Sequence, residues 1–159
     1  MRNYYIEINQ YLERLIKNIL AYDRDGIPIE GNTLSLMEIL IIRFLGREGK
    51  KKIYEVIEEL NIHRNSLVTI TNRLQHMKYV KKAPSLEDGR VQTLKLTKEG
   101  MDIYNKIIQE EKEILFALLN GFTINEEKAI LKFLVKLDML KKEDTIEFLK
   151  QQSKTNKNI

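Results

Sequence analysis

Between residues 51 and 100 the hydrophobic pattern changes period twice, which narrows the folds open to the chain. KKIYEVIEEL sets Ile53, Val56, Ile57 and Leu60 on one side of a short helix. After the tight Asn61-Ile62-His63 connection, RNSLVTITNRLQHM (64–77) repeats the helical period. Two short helices joined by about three or four residues are the sequence form of a helix-turn-helix. YVKKA and VQTLKL then switch to extended segments joined by PSLEDGR, the pattern of a hairpin. Thr97 caps another helix at once. A helix-turn-helix running straight into a two-stranded hairpin is the chain order of a winged helix, so the expected class is mainly α with a small β component (α+β).

The flanks are helical. Residues 4–22 carry Tyr5, Ile8, Leu12, Leu15, Ile16 and Ile19 at spacings of three and four, and DRDGIPIEGN (23–32) reads as a loop. SLMEILIIRFLGREG opens on a Ser35–Glu38 capping box and ends at Gly46 or Gly49. A long helix covers about 98–119, GFTINEE interrupts it with a second box at Thr123 and Glu126, and a last helix runs from 125 to about 149. The polar end, KQQSKTNKNI, lacks apolar content, so 150–159 is expected to be a disordered tail. The rest, 1–150, is long enough for one domain with a real core. Within it, 35–100 forms the winged head, and 1–22 with 101–149 forms the helices around it.

Several functions are disfavoured. There is no cysteine, hence no disulfide, thiolate metal site or thiol redox sensor. The two histidines, His63 and His76, lie thirteen residues apart and share no carboxylate pattern, so neither a metal nor a cofactor is expected. Apolar runs are too short to span a bilayer, and MRNYYIEINQYLERL, with Glu7, Glu13 and Arg14, is unlike a signal peptide. The expectation is a cytoplasmic protein. No nucleophile elbow, phosphate-cradling glycine loop or zinc-protease motif is present, and Glu58-Glu59 and Glu126-Glu127 fit helix surfaces, so no catalysis is expected.

Charge is unevenly placed. Residues 43–100 hold 13 Lys and Arg against 7 Asp and Glu, whereas the remainder holds 14 against 16. The middle segment therefore suits a polyanion, although a solvated basic face explains charge alone equally well. Helix 64–77 is more specific. Leu67, Ile70, Leu74 and Met77 share one arc; the opposite arc presents Asn65, Val68, Thr69, Asn72 and His76, with Arg64 and Arg73 on its flanks and Ser66 beside them. Asparagine and threonine on an outward face are what a major-groove helix needs, and Val68 suits a thymine methyl. An ordinary amphipathic helix is the competing reading.

The piece DGRVQTLKLTKEG carries the wing signature Asp-x-Arg, five residues, then Leu-Thr-x-x-Gly, in Asp88, Arg90, Leu96, Thr97 and Gly100. With ELNIHRNSLVTITNRLQHMKYV, it resembles the multiple antibiotic resistance regulator (MarR) family of winged-helix transcription factors, and the flanking helices extend that resemblance over nearly the whole chain. Lys78 stands where the family commonly ends its recognition helix with glycine, so a locally different cap is expected there.

The resemblance implies a sequence-specific regulator of double-stranded DNA. Arg64, Asn65, Ser66, Val68, Thr69, Asn72 and Arg73 form its recognition helix, and Lys81, Lys82, Asp88 and Arg90 belong to its wing. Arg90 would reach the neighbouring minor groove, with Asp88 fixing the turn or orienting Arg90; a mere Asp88–Arg90 surface pair is the alternative. It also implies a homodimer joined through Tyr5, Ile8, Leu12, Ile130, Phe133, Leu137 and Phe148, against a monomeric bundle burying them in its own core. Many such regulators release a pseudo-palindromic operator when a small aromatic ligand binds; Tyr11, Tyr22, Phe44 and Tyr104 are the aromatics available here, though core placement is the commoner use. Repression is favoured over activation because occupying a promoter needs no further contact. The rival function is a winged-helix protein-interaction module that touches no DNA.

Overall fold

The structure, a computed structural model, describes residues 4–139. They fall into two compact units divided between Glu111 and Lys112. The first contains α1 (Tyr4–Asp25), β1 (Ile27–Ile29), β2 (Asn32–Leu34), α2 (Leu36–Glu48), β3 (Lys51–Lys52), α3 (Ile53–Leu60), α4 (Arg64–His76), β4 (Val80–Pro84), β5 (Gln92–Leu96) and the N-terminal part of α5 (Lys98–Leu119). The second contains the rest of α5 and α6 (Ile124–Met139). Phe148, the end of the last predicted helix and the 150–159 tail lie outside the described residues.

Two segments differ from the sequence reading. The supposed loop at 23–32 is the end of α1 followed by a hairpin, β1–β2, with Ile27 opposite Leu34. Its turn residues Glu30 and Gly31 both have positive φ (48° and 78°), the two-residue turn whose twist suits a hairpin. Proline and glycine there mark a strand start and a turn, and two three-residue strands are too short to show a period. The wing likewise has three strands, in the order β3-β5-β4, because Lys51 and Lys52 pair with Leu94 and Thr93 before α3 begins. Pairing outweighed their position in front of a helical pattern.

The core sits in the first unit, beneath the helix-turn-helix. Ile41, Ile42 and Leu45 of α2 meet Val56, Leu67, Leu74 and Leu94, all essentially inaccessible to solvent. The Ser35–Glu38 capping box forms as expected, and α2 runs on to a Gly49 cap. Gly46 lies inside the helix, where a Cβ would come within 2.3 Å of the Tyr104 ring. On α4, Leu67 and Leu74 are buried, Ile70 and Met77 half-buried, and Thr71 joins the buried side with its hydroxyl donating to the Val68 carbonyl at 3.2 Å.

The end of α4 explains the family signature. Lys78 does take the left-handed conformation (φ 63°), with Lys78 N–H donating to Gln75 O at 2.9 Å and Tyr79 N–H to Leu74 O at 3.0 Å. That is the usual glycine-type helix ending, made with lysine, so the expected local difference does not occur. The segment is bolted down from the next helix: Thr97 donates its hydroxyl to Lys78 O at 2.5 Å and its N–H to Tyr79 O at 3.0 Å, while accepting from Gly100 N–H. A Cβ on Gly100 would stand 1.9 Å from the Tyr79 carbonyl oxygen. Gly100→Ala therefore has to push backbone apart and is expected to cost roughly 3 kcal/mol or more. Gly89→Ala, at a position with nothing within 4 Å of the new methyl, should be near neutral. Urea unfolding of the two variants measures the contrast, and equal stabilities would contradict this packing.

Candidate nucleic-acid interface

Asn65, Thr69, Asn72 and His76 are exposed on the outward side of α4, with Val68 partly exposed toward the wing. Among the described residues, the side chains of Arg64 and Asn65 make no hydrogen bond or ion pair. Thr69 donates its hydroxyl proton to Asn65 O at 3.2 Å, which leaves its oxygen available only as an acceptor. An adenine or cytosine amino group is the kind of donor such an oxygen could take. Arg64 and Val68 border a cleft of about 120 Å³ between α3, α4 and the wing, shared with Ile53, Leu67, Thr71, Lys82 and Gln92.

Arg73, expected on the DNA-facing flank, is directed at the fold. Its guanidinium donates to Glu38 Oε2 at 2.5 Å and to Thr33 O at 2.5 Å, tying α4 to α2 and β2. Glu38 is 2% exposed and its carboxylate also accepts from Ser35 N–H, so Arg73 is its counter-charge. The sequence reading missed this pairing, yet a signal was present. Glu38 stands on the same stripe as Ile41, Ile42 and Leu45, and a carboxylate in such a stripe needs a cation from a neighbouring element. A second unforeseen tie lies nearby, where Asn32 Nδ2 donates to the hydroxyl of the buried Tyr79 at 2.6 Å.

The wing presents its residues differently. β4 and β5 pair from Val80–Leu96 to Pro84–Gln92. Their connection is held by Ser85 N–H to Val91 O (2.7 Å), Val91 N–H to Asp88 O (3.0 Å) and Arg90 N–H to Asp88 Oδ1 (3.0 Å). Asp88 thus fixes the turn through backbone, and among the described residues the Arg90 side chain has no partner. The Lys52–Glu87 bridge (2.9 Å) anchors the same turn to β3. The hydrogen bond to Lys52 holds the Glu87 carboxyl below its ordinary range, and that to Glu87 holds the Lys52 ammonium above its own. The bridge is lost only as pH falls through the lowered carboxylate value or rises through the raised ammonium value, so it persists at neutral pH. Lys81 is exposed; Lys82 is half-buried and donates to Asn72 Oδ1 at 3.2 Å.

The family model described as transcriptional regulator SarA/Rot matches residues 29–107, from β1 into α5. An HTH-type transcriptional regulator of Bacillus subtilis, YpoP, is 24% identical over 128 residues, 80% of this chain and 91% of its own length. The chain is thus similar in its middle to the SarA/Rot transcriptional regulators and over most of its length to HTH-type transcriptional regulators. Solved structures of DNA-binding proteins share its fold. The structure of Streptococcus pneumoniae FabT in complex with DNA superposes with a TM-score of 0.74 at 23% identity, covering 93% of this chain and 99% of that one. Bordetella bronchiseptica BpsR, whose DNA binding is regulated by 6-hydroxynicotinic acid, gives 0.63 at 19% identity, covering 83% and 98%.

Outside the head, apolar side chains stand in water. No residue of α1 or α6 is buried; Tyr5, Ile8, Phe133 and Leu137 are exposed, and Leu12 and Ile130 half-exposed. Of the aromatics weighed for an effector cleft, Phe44 is buried in the core, Tyr104 packs on Gly46, and Tyr11 and Tyr22 are exposed on α1.

Removing the Arg73 guanidinium strands a buried carboxylate, so Arg73→Ala should destabilise the chain by about 3 kcal/mol. Chemical denaturation reads this directly. A loss under ~1 kcal/mol, in the range of an ordinary exposed ion pair, would contradict the role given to Glu38.

Proposed function

We propose that the protein is a homodimeric repressor that binds a pseudo-palindromic site in double-stranded DNA. The observation that carries this reading is the outward face of α4. Asn65, Thr69 and Asn72 stand exposed on one side of a helix whose other side is locked into the core, beside a hydrogen-bonded turn whose arginine side chain has no partner among the described residues. A helix that only needed solubility would be expected to carry Glu and Lys there. In this reading α4 enters the major groove, Arg64 and Lys81 meet phosphates, and Arg90 enters the adjacent minor groove. The FabT complex with DNA supports a duplex partner for the same fold.

Dimerisation is supported by the unburied apolar side chains of α1 and of the second unit, too many for a soluble surface. A two-fold pair of heads about 34 Å apart reads two half-sites one turn apart. Residues 35–100 then act as the head, and 1–22 and 101–149 as dimerisation helices. BpsR motivates a small aromatic effector; such a ligand acts only by preferring a head spacing that does not fit DNA. No helix among the described residues is long and apolar enough to cross a membrane, in keeping with a cytoplasmic regulator. The reading assigns no reaction to the chain.

A salt titration on duplex fragments selected from the source genome tests it. A dimer making about 6 to 10 phosphate contacts should lose roughly 10³ to 10⁵-fold in affinity between about 50 and 200 mM salt. Its mass in solution should be near twice 18.8 kDa. Duplex binding insensitive to salt, or none, would favour a protein-interaction module.

A further inference from the structure

Lys82 is a wing residue bonded directly to the outward face of α4. It stands opposite the buried Leu94 in the β4–β5 ladder, and its ammonium donates to Asn72 Oδ1 at 3.2 Å. An ammonium has three donors and no acceptor. The bond therefore decides which end of the carboxamide faces the wing: Oδ1 turns toward Lys82 and the Nδ2 amino group turns away. A reversed amide would set donor against donor. Asn65, by contrast, has an exposed carboxamide with no such partner among the described residues.

The two asparagines are thus chemically different readers. Bidentate recognition of adenine needs a carboxamide to accept from N6 and donate to N7 together. Asn65 is free to do both. Asn72 has its oxygen directed at a cation, so it offers the groove chiefly the two hydrogens of Nδ2. Those match an edge made of acceptors, and guanine, with O6 and N7 side by side, is the base that provides one.

Resting on the DNA-binding reading above, we propose that Lys82 is a positioning residue for base recognition. By holding Asn72 Oδ1 from the wing, it turns the Nδ2 amino group of Asn72 toward the groove and biases the residue to guanine over adenine. The wing then contributes to sequence choice through α4 as well as through its own groove contact.

Selection from a pool of randomised duplexes, followed by sequencing, tests this with the full-length chain. Wild type should enrich a half-site with guanine at one position, and Asn72→Ala should lose that preference. Lys82→Met keeps an apolar stem beside the cleft but removes the donor. It should admit adenine at that position, lowering the guanine-over-adenine ratio about tenfold while other positions stay as they were. Lys82→Arg, still donor-only, should retain the preference, and Lys82→Met should change nothing in the Asn72→Ala background. Lys82→Ala gives the same test should methionine pack poorly. If Lys82→Met weakens all sequences alike with the preference intact, Lys82 is a phosphate contact and the proposal fails. If wild type enriches no sequence at all, the DNA-binding reading fails and takes this one with it.

Discussion

The Tyr79 carbonyl oxygen is the point on which the head depends. It accepts the Thr97 N–H while Gly100 passes so close that no side chain fits between them. One residue earlier, Lys78 turns the chain out of α4 in a left-handed conformation, and its carbonyl accepts the Thr97 hydroxyl. The recognition helix, the root of the wing and the start of α5 therefore meet in a few hydrogen bonds that leave little freedom in their mutual angle. Nearby, the Glu38–Arg73 pair fastens the last turn of α4 to α2, and the Asn32–Tyr79 bond fastens the residues that follow it to the small hairpin. A helix held in this way can keep polar side chains exposed on its remaining face, and those are the groups a groove can use.

This arrangement accounts for which parts were legible in the sequence. The helix-turn-helix, the β4–β5 hairpin and both capping boxes were readable because each rests on local chemistry, a period of three to four, an alternation or a box of four residues. The Leu-Thr-x-x-Gly motif was visible as a pattern, but its reason was not, since the clash that demands Gly100 lies twenty-one residues back in the chain. β1, β2 and β3 escaped because two- and three-residue strands carry no period and exist only through their partners. The Arg73–Glu38 tie escaped for a related reason. On a helical wheel Arg73 lies at the edge of the polar face, and only the position of Glu38 on a different helix reveals the pairing.

The ends of the chain pose the complementary problem. The head satisfies its own core, whereas α1 and α6 bury nothing among the described residues despite their tyrosines, isoleucines and leucines. Apolar area of that extent calls for a partner surface, and a second copy is the partner that also doubles the number of grooves contacted. In the proposed dimer, pairing and DNA reading form one design: the terminal helices would set the distance between heads, and a change in that distance would change affinity without touching α4.

Dimethyl sulfate protection of a selected site tests this account most directly, because the reagent methylates guanine N7 in the major groove and adenine N3 in the minor groove. Two major-groove protections about 10 base pairs apart, each flanked by minor-groove protection beside it, are the predicted pattern. A single protected patch, or major-groove protection with open minor grooves on both sides, would contradict paired heads that read with a helix and a wing together.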